Sequence, residues 1–263
     1  MEEFRFKKRY GQNFLKDNNI IRKIVNDIDV KEKSLVIEIG CGDGRLTKIL
    51  CEKFDNVLGY EIDLEVKSRL LANLKDYKNC NIIFDDFLKR DIKKDIKVKY
   101  DSLYIIANLP YYITTSILEK IIDSDLDFEL MRVMVQKEVG DRICAKVGSK
   151  EYNSLTVYLN YKYDIKKNFI VKRECFIPKP NVDSLIISFF RKKDKYFVKD
   201  ERIFYKLVRD SFRFKRKTLK NNLKEYDLDT ISKVLSRYNL DLSVRAENID
   251  IFIFCEISNS LSI

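Results

Sequence analysis

The chain has 263 residues, with 51 Lys+Arg against 41 Asp+Glu for a formal charge of +10 and 45% hydrophobic residues, a composition that folds. It contains no histidine, which excludes a Ser-His-Asp or Cys-His nucleophile, a histidine general base and a histidine-ligated zinc. Its six cysteines, at 41, 51, 80, 144, 175 and 255, include no Cys-x-x-Cys pair and read as reduced thiols, with neither a disulfide frame nor a metal site.

The first ten residues mix acidic and basic side chains without an apolar run, so no secretory signal is expected. The longest uncharged stretch, 102–118, is too short and too polar to span a membrane, and the chain is expected in the cytoplasm. Ile20, Ile21, Ile24, Val25 and Ile28 share a helical face. A short apolar run at 35–39 ends at glycine and predicts a strand; a helix follows through Leu46, Ile49 and Leu50, then a strand at 56–61 and a helix at 64–74. Strands at 81–84, 102–107 and 132–135 alternate with helices at 113–122 and 137–145. This alternation predicts βαβ units around a mostly parallel sheet, and β-rich runs at 161–171 and 182–190 predict an antiparallel edge. Beyond a charged connector at 192–195, helix-period segments at 203–214, 218–223 and 231–238 predict a small all-helical domain. The last segment, 249–263, is β-branched and aromatic but is read as a helix from its setting.

Three of the seven glycines sit together in Glu38-Ile39-Gly40-Cys41-Gly42-Asp43-Gly44, between the first predicted strand and a helix. In an open α/β sheet this turn is where a ligand lies. The spacing misses the third glycine of the dinucleotide fingerprint and lacks the Gly-Lys-Ser/Thr of a P-loop. S-adenosylmethionine, which needs close backbone approach and no phosphate cradle, is the remaining well-known user of such a turn. Glu61, at the end of the next strand, is placed to accept hydrogen bonds from ribose hydroxyls, while Asp63 is expected to cap the following helix. After the third strand Asp86 offers a carboxylate to an adenine amino group and Phe87 an aromatic face.

The fourth strand runs into Asn108-Leu109-Pro110-Tyr111. Methylation of an exocyclic adenine nitrogen needs acceptors aimed at its two N–H groups, because its lone pair is delocalised into the ring. The Asn108 side-chain oxygen and the Leu109 carbonyl can supply them. Pro110 stiffens the turn, and Tyr111 can stack on a base splayed from its strand. Methyl transfer from a sulfonium depends chiefly on positioning, and its product loses a proton to water, so no histidine is needed.

In these motifs and their order the chain resembles the KsgA/RsmA family of ribosomal RNA adenine dimethyltransferases. The resemblance extends over nearly its whole length: Lys7-Lys8-Arg9-Tyr10-Gly11-Gln12-Asn13-Phe14-Leu15, the glycine turn, Asn108 to Thr115, Gln136-Lys137-Glu138, Ser149-Lys150-Glu151-Tyr152, Phe176-Ile177-Pro178-Lys179-Pro180-Asn181-Val182-Asp183-Ser184 and Arg216-Lys217-Thr218-Leu219. It implies an α/β Rossmann-like methyltransferase domain over 1–190, with a mostly parallel seven-stranded sheet, and a helical RNA- or ribosome-binding domain over 191–263. It further implies dimethylation of two adjacent adenosines near the 3′ end of small-subunit rRNA, with an immature small subunit as partner and a monomeric, metal-free enzyme. By similarity, Asn13 and Leu15 reach the methionine end of S-adenosylmethionine, Gly40 and Gly42 approach its backbone-facing side, Glu61 binds ribose, Asp86 binds adenine, and Asn108 touches both cofactor and base. Phe176 resembles the aromatic that packs the other face of the target adenine.

Three residues depart from the family pattern: Cys41 where proline is usual, Tyr112 where asparagine is common, and Ala246 in place of a proline. The densest basic run supplies Arg213, Lys215, Arg216, Lys217 and Lys220, and a second cluster supplies Lys7, Lys8 and Arg9; both suit phosphate contact. Two alternatives stay open: an Erm-type large-subunit rRNA dimethyltransferase, against which Leu109 and the N-terminal motif argue, and a non-catalytic assembly or RNA-binding paralogue.

Overall fold

The computed structural model describes residues 13–192 and 196–262. In chain order the strands are β1 (Phe14–Leu15), β2 (Ser34–Ile39), β3 (Asn56–Glu61), β4 (Cys80–Phe84), β5 (Ser102–Asn108), β6 (Leu130–Gln136), β7 (Tyr163–Val171), β8 (Phe176–Ile177) and β9 (Ser184–Arg191). The helices are α1 (Asn18–Val25), α2 (Arg45–Lys53), α3 (Lys67–Leu74), α4 (Ile92–Asp95), α5 (Thr114–Asp123), α6 (Lys137–Ile143), α7 (Ser154–Lys162), α8 (Glu201–Ser211), α9 (Leu219–Asn222), α10 (Leu228–Ser236) and α11 (Ile251–Leu261). They fall into two compact units, 13–140 with 166–191 and 141–165 with 196–262.

The first unit holds a seven-stranded sheet in the order β4-β3-β2-β5-β6-β9-β7. The pairs β2–β3, β3–β4, β2–β5 and β5–β6 are parallel, while β9 runs antiparallel to β6. Strands β2 and β5 are buried almost from end to end, as expected where helices cover both faces. The strand order reverses direction between β2 and β5, and at such a switch point the loops leaving two neighbouring strands diverge and leave a crevice. Outside this sheet, β1 pairs antiparallel with β8, Phe14 opposite Ile177 and Leu15 opposite Phe176.

Arg132 on β6 is buried, and it is compensated on every side. It donates to the Ile24 carbonyl (2.8 Å) and the Ser188 hydroxyl (2.9 Å) and pairs with Asp27 just beyond α1. A buried guanidinium without such partners would cost several kcal/mol, on the order of 3–5.

The second unit has its own apolar core, in which Phe204, Leu207, Val208, Leu219, Ile231, Leu235, Phe254 and Ile257 pack together with Tyr152, Val157 and Tyr161. This corrects the expected boundary: 141–165 goes with the C-terminal helices because Tyr152, Val157 and Tyr161 contribute to their core. It also corrects the strand expected from 161, since α7 occupies Ser154–Lys162 and β7 starts at Tyr163. Asn153 starts α7 by accepting from the Leu155 and Thr156 amides, and buried residues lie on all its faces, so no amphipathic stripe marks it in the sequence. The last helix forms despite its β-branched residues because Asp250 accepts from the Phe252 amide (2.8 Å) and the Ile253–Cys255 segment packs into the core. Among the described residues no helix is long and apolar enough to cross a membrane.

Candidate active site

A cleft, open at one side, lies at the C-terminal ends of β2, β3 and β5, and is lined by the loops that follow them together with Asn13–Leu15 and Asp85–Phe87. The glycine turn forms its floor. Gly40 (φ +80°) and Cys41 donate to the Tyr60 carbonyl at 2.8 and 3.2 Å, which hooks the turn onto the end of β3. A Cβ at Gly40 would enter the space bounded by the Asn108 carbonyl (3.7 Å) and the Pro110 ring (3.9 Å). At Gly42 (φ +57°) a Cβ would lie 2.8 Å from the Phe14 ring, so only glycine lets the N-terminal segment close over the turn. Asp43 fastens the far side: its carboxylate meets Arg45 (3.1 Å) and Arg69 (3.3 Å), and its carbonyl accepts from Asn73 (2.8 Å).

Glu61 does more than end a strand. Its carboxylate accepts from the Gly42 amide (2.7 Å) and the Asp63 amide (2.8 Å), so one side chain ties the glycine turn to the β3 end. Burial raises its pKa against the pull of these two amides. Asp63 caps the short helix at 64–66 through the Glu65 amide (3.1 Å), as the sequence suggests. Asp86 lines the cleft and also caps the turn at 87–89 through the Leu88 amide (3.0 Å). Phe87 is buried edge-on against Tyr60, at 5.1 Å between ring centroids, so it forms part of the wall and offers little free face. Glu38, absent from the sequence-derived residues, also lines the cleft; it is buried, its Oε2 has no hydrogen-bond partner, and burial holds its carboxyl well above the usual range.

At the end of β5 the side-chain amide of Asn108 donates to the Asn13 carbonyl (3.2 Å), which turns its oxygen away as an acceptor. The Leu109 amide donates to the Met134 carbonyl (3.1 Å). Pro110 begins a tight turn whose carbonyl accepts from the Ile113 amide (3.3 Å) and the Thr114 hydroxyl (3.1 Å). The Tyr111 ring lines the cleft, and its hydroxyl shares a 2.7 Å hydrogen bond with that of Ser184.

Asn13, Leu15, Gly40, Gly42, Glu61, Asp86, Phe87, Asn108, Leu109, Pro110 and Tyr111 therefore meet at one cleft. Phe176 does not line it. It is 1% exposed, paired with Leu15 across β1–β8 and packed in the core, so a role on the far face of a base would require it to leave that position. Phe14 and Ile62, missed in the sequence reading, line the cleft as well; Phe14 stands between two residues of the N-terminal motif that the reading did assign. Of the departures, Cys41 is buried against Gly59, where an added Cβ would lie 2.5 Å from its sulfur, Tyr112 stands exposed at the mouth, and Ala246 is buried in the helical core.

In the helical unit, α8 ends at Ser211, not at 214 as expected, and Arg213–Lys217 form a loop. Asn222 holds that loop, donating to the Ser211 carbonyl (2.7 Å) and accepting from the Phe214 amide (3.1 Å). Arg213, Lys215, Arg216, Lys217 and Lys220 are all exposed, and among the described residues none has a carboxylate in ion-pair range. Arg213 lies over the exposed Phe214 ring at 5.4 Å. Lys7, Lys8 and Arg9 lie outside the described residues.

A glycine turn open to close approach, acidic side chains at two successive strand ends and a buried carboxyl with one oxygen lacking a partner fit a nucleoside cofactor without a pyrophosphate. Together with the strand order, they place the first unit among Rossmann-like methyltransferases. The comparisons agree and are more specific. A family model described as "Ribosomal RNA adenine dimethylase" matches residues 3–262, and the chain belongs to that family. A ribosomal RNA small subunit methyltransferase A from Clostridium acetobutylicum is 39% identical over 261 residues, covering 98% of this chain and 94% of that one. Its counterpart in Ligilactobacillus salivarius is 42% identical over 266 residues, covering 97% and 90%. Among solved structures, a dimethyladenosine transferase from Plasmodium falciparum superposes with a TM-score of 0.77 at 26% identity, covering 92% of this chain and 95% of its own. The 23S rRNA methyltransferase ErmE shares the fold, with a TM-score of 0.72 at 21% identity, covering 95% and 100%.

Proposed function

We propose that this chain dimethylates N6 of two adjacent adenosines near the 3′ end of small-subunit rRNA, with S-adenosylmethionine as methyl donor. The observation that carries the reading is the Asn108–Leu109 pair of acceptors, oriented by Asn13 and Met134 and set beside the glycine turn. When bound, S-adenosylmethionine supplies an electrophilic methyl group on a sulfonium leaving group. Glu61 would accept from its ribose, Asp86 from its adenine amino group, Asn13 and Leu15 would border its methionine end, and Gly40 and Gly42 would approach its backbone-facing side.

The residues of the chain then prepare the nucleophile. The Asn108 oxygen and the Leu109 carbonyl accept the two N–H groups of the target amine, drawing its lone pair out of conjugation, and the Tyr111 ring holds the base plane. Such stacking is worth about 1–3 kcal/mol. Arg213, Lys215, Arg216, Lys217 and Lys220 would meet phosphates, which gives affinity without sequence choice.

The test is transfer of labelled methyl groups to small ribosomal subunits lacking the modification, with the sites located by mass spectrometry of the RNA. Two neighbouring dimethyladenosines in small-subunit RNA are expected. Methylation of large-subunit RNA alone would select the Erm-type reading, and cofactor binding without transfer would select a binding protein.

A further inference from the structure

We propose that Ser184 is a positioning residue for methyl transfer, fixing through its hydroxyl the position of the Tyr111 ring on which the target adenine stacks. The inference rests on the adenine methylation proposed above. The two hydroxyls lie 2.7 Å apart although the residues are 73 positions apart in sequence, and Ser184 is fully buried while Tyr111 faces the cleft.

The backbone end of Tyr111 is already set. The Leu109 amide is held by Met134, and the Pro110 carbonyl is bonded by Ile113 and Thr114. What remains free is the swing of the ring about its first side-chain torsion, and a bond at the far end of the ring removes it; the hydroxyl oxygen lies on the axis of the second torsion, where the bond acts through the preference of a phenol O–H to lie in the ring plane. Ser184 suits this task because its own backbone cannot shift. It opens β9 opposite Gln136, and the preceding Asp183 is held on three sides: its carbonyl by the Lys137 amide (2.9 Å), its carboxylate by the Arg173 amide (3.0 Å) and by the Lys172 ammonium (2.9 Å). Burial also raises the pKa of the Tyr111 phenol, so the hydroxyl keeps its proton at neutral pH and can share the bond.

The pair gives an unusual mutational signature. Removing Ser184 alone strands a buried phenol hydroxyl, which reaches water only by swinging the ring away from its place; removing both hydroxyls leaves a matched apolar contact. Methyl transfer at saturating RNA should fall about tenfold in Ser184→Ala and about threefold in Tyr111→Phe. The double variant should recover to the Tyr111→Phe rate, and cofactor affinity by calorimetry should not change in Ser184→Ala. A wild-type rate in Ser184→Ala overturns the proposal, as does a double variant no faster than Ser184→Ala, since a simple packing defect is not rescued by a second substitution. If Ser184→Ala fails to fold, Ser184→Cys decides the question: a weaker partner of similar volume should give an intermediate loss, and a wild-type rate overturns the proposal. Absence of transfer by the wild-type protein would instead remove the functional reading on which this inference rests.

Discussion

In the α/β unit Glu61, Asn108 and Tyr111 are buried or half-buried at the cleft and bonded to neighbouring groups, whereas the cations of the 213–220 segment stand in solvent without a carboxylate in range among the described residues. Glu61 accepts from the Gly42 and Asp63 amides, Asn108 donates one amide proton to Asn13, and Tyr111 shares its hydroxyl with Ser184. The basic loop is fastened through its backbone, by Asn222 and by its own turn hydrogen bonds, and its charges face no carboxylate among the described residues. The contrast separates two tasks. Fixed acceptors shape a reacting atom at short range, while exposed cations gather a polyanion at a distance set by salt.

The contrast is broken most severely at Asn108. Asn108→Ala should lower methyl transfer by about 10³-fold in a single-turnover assay, as loss of one preorganised polar partner does elsewhere, with filter-binding affinity for the RNA held within about twofold. Gly42→Ala comes next: its Cβ meets the Phe14 ring, and S-adenosylmethionine affinity by calorimetry should drop about 10–100-fold through displacement of the N-terminal segment, near 1.4 kcal/mol per tenfold. Replacing Arg213, Lys215 and Arg216 by alanine should weaken RNA binding by about tenfold at physiological salt and lower the slope of log affinity against log salt by about 2–3. Transfer by this variant should recover as salt is lowered, which Asn108→Ala cannot do.

The smallest effect sharpens the cleft side. Burial raises the Glu38 carboxyl well above its ordinary value of 4.5, so above that pH the unfolded chain releases a proton that the folded chain keeps. Stability is therefore full below the ordinary value and declines as pH rises towards the raised one. Glu38→Gln removes that decline, and its Tm should exceed the wild-type value by about 2–4 °C at pH 8 and match it near pH 4, for a difference of roughly 1 kcal/mol. A gap that does not change with pH would show that Glu38 does not titrate in this window.

Local patterns made much of this legible. The apolar run at 35–39 with its glycine turn, and the 102–108 run with Asn108-Leu109-Pro110-Tyr111, each carry their own signal, and their meeting follows from the parallel pairing of β2 with β5. What escaped depends on contacts distant in sequence. Helix α7 is buried on every face, so its periodicity is silent, and its Tyr152, Val157 and Tyr161 neighbours belong to a core more than 40 residues further on. Phe176 carries an aromatic expected at the base, yet the pairing of β8 with β1 turns it into the core. Ser184 sits inside a quoted motif with nothing nearby to hint that its partner is 73 residues back. The basic run was legible as charge, but the end of α8 at Ser211 was not, because the phenylalanines at 212 and 214 continue the helical spacing.

The division of labour between cleft and loop is tested most directly by measuring RNA affinity and single-turnover methyl transfer side by side in Asn108→Ala, with small ribosomal subunits as substrate. Bound RNA at wild-type affinity with transfer reduced by about 10³-fold is the expected result. Transfer near the wild-type rate, or a loss that tracks weakened RNA binding, would contradict the assignment of the chemistry to this cleft.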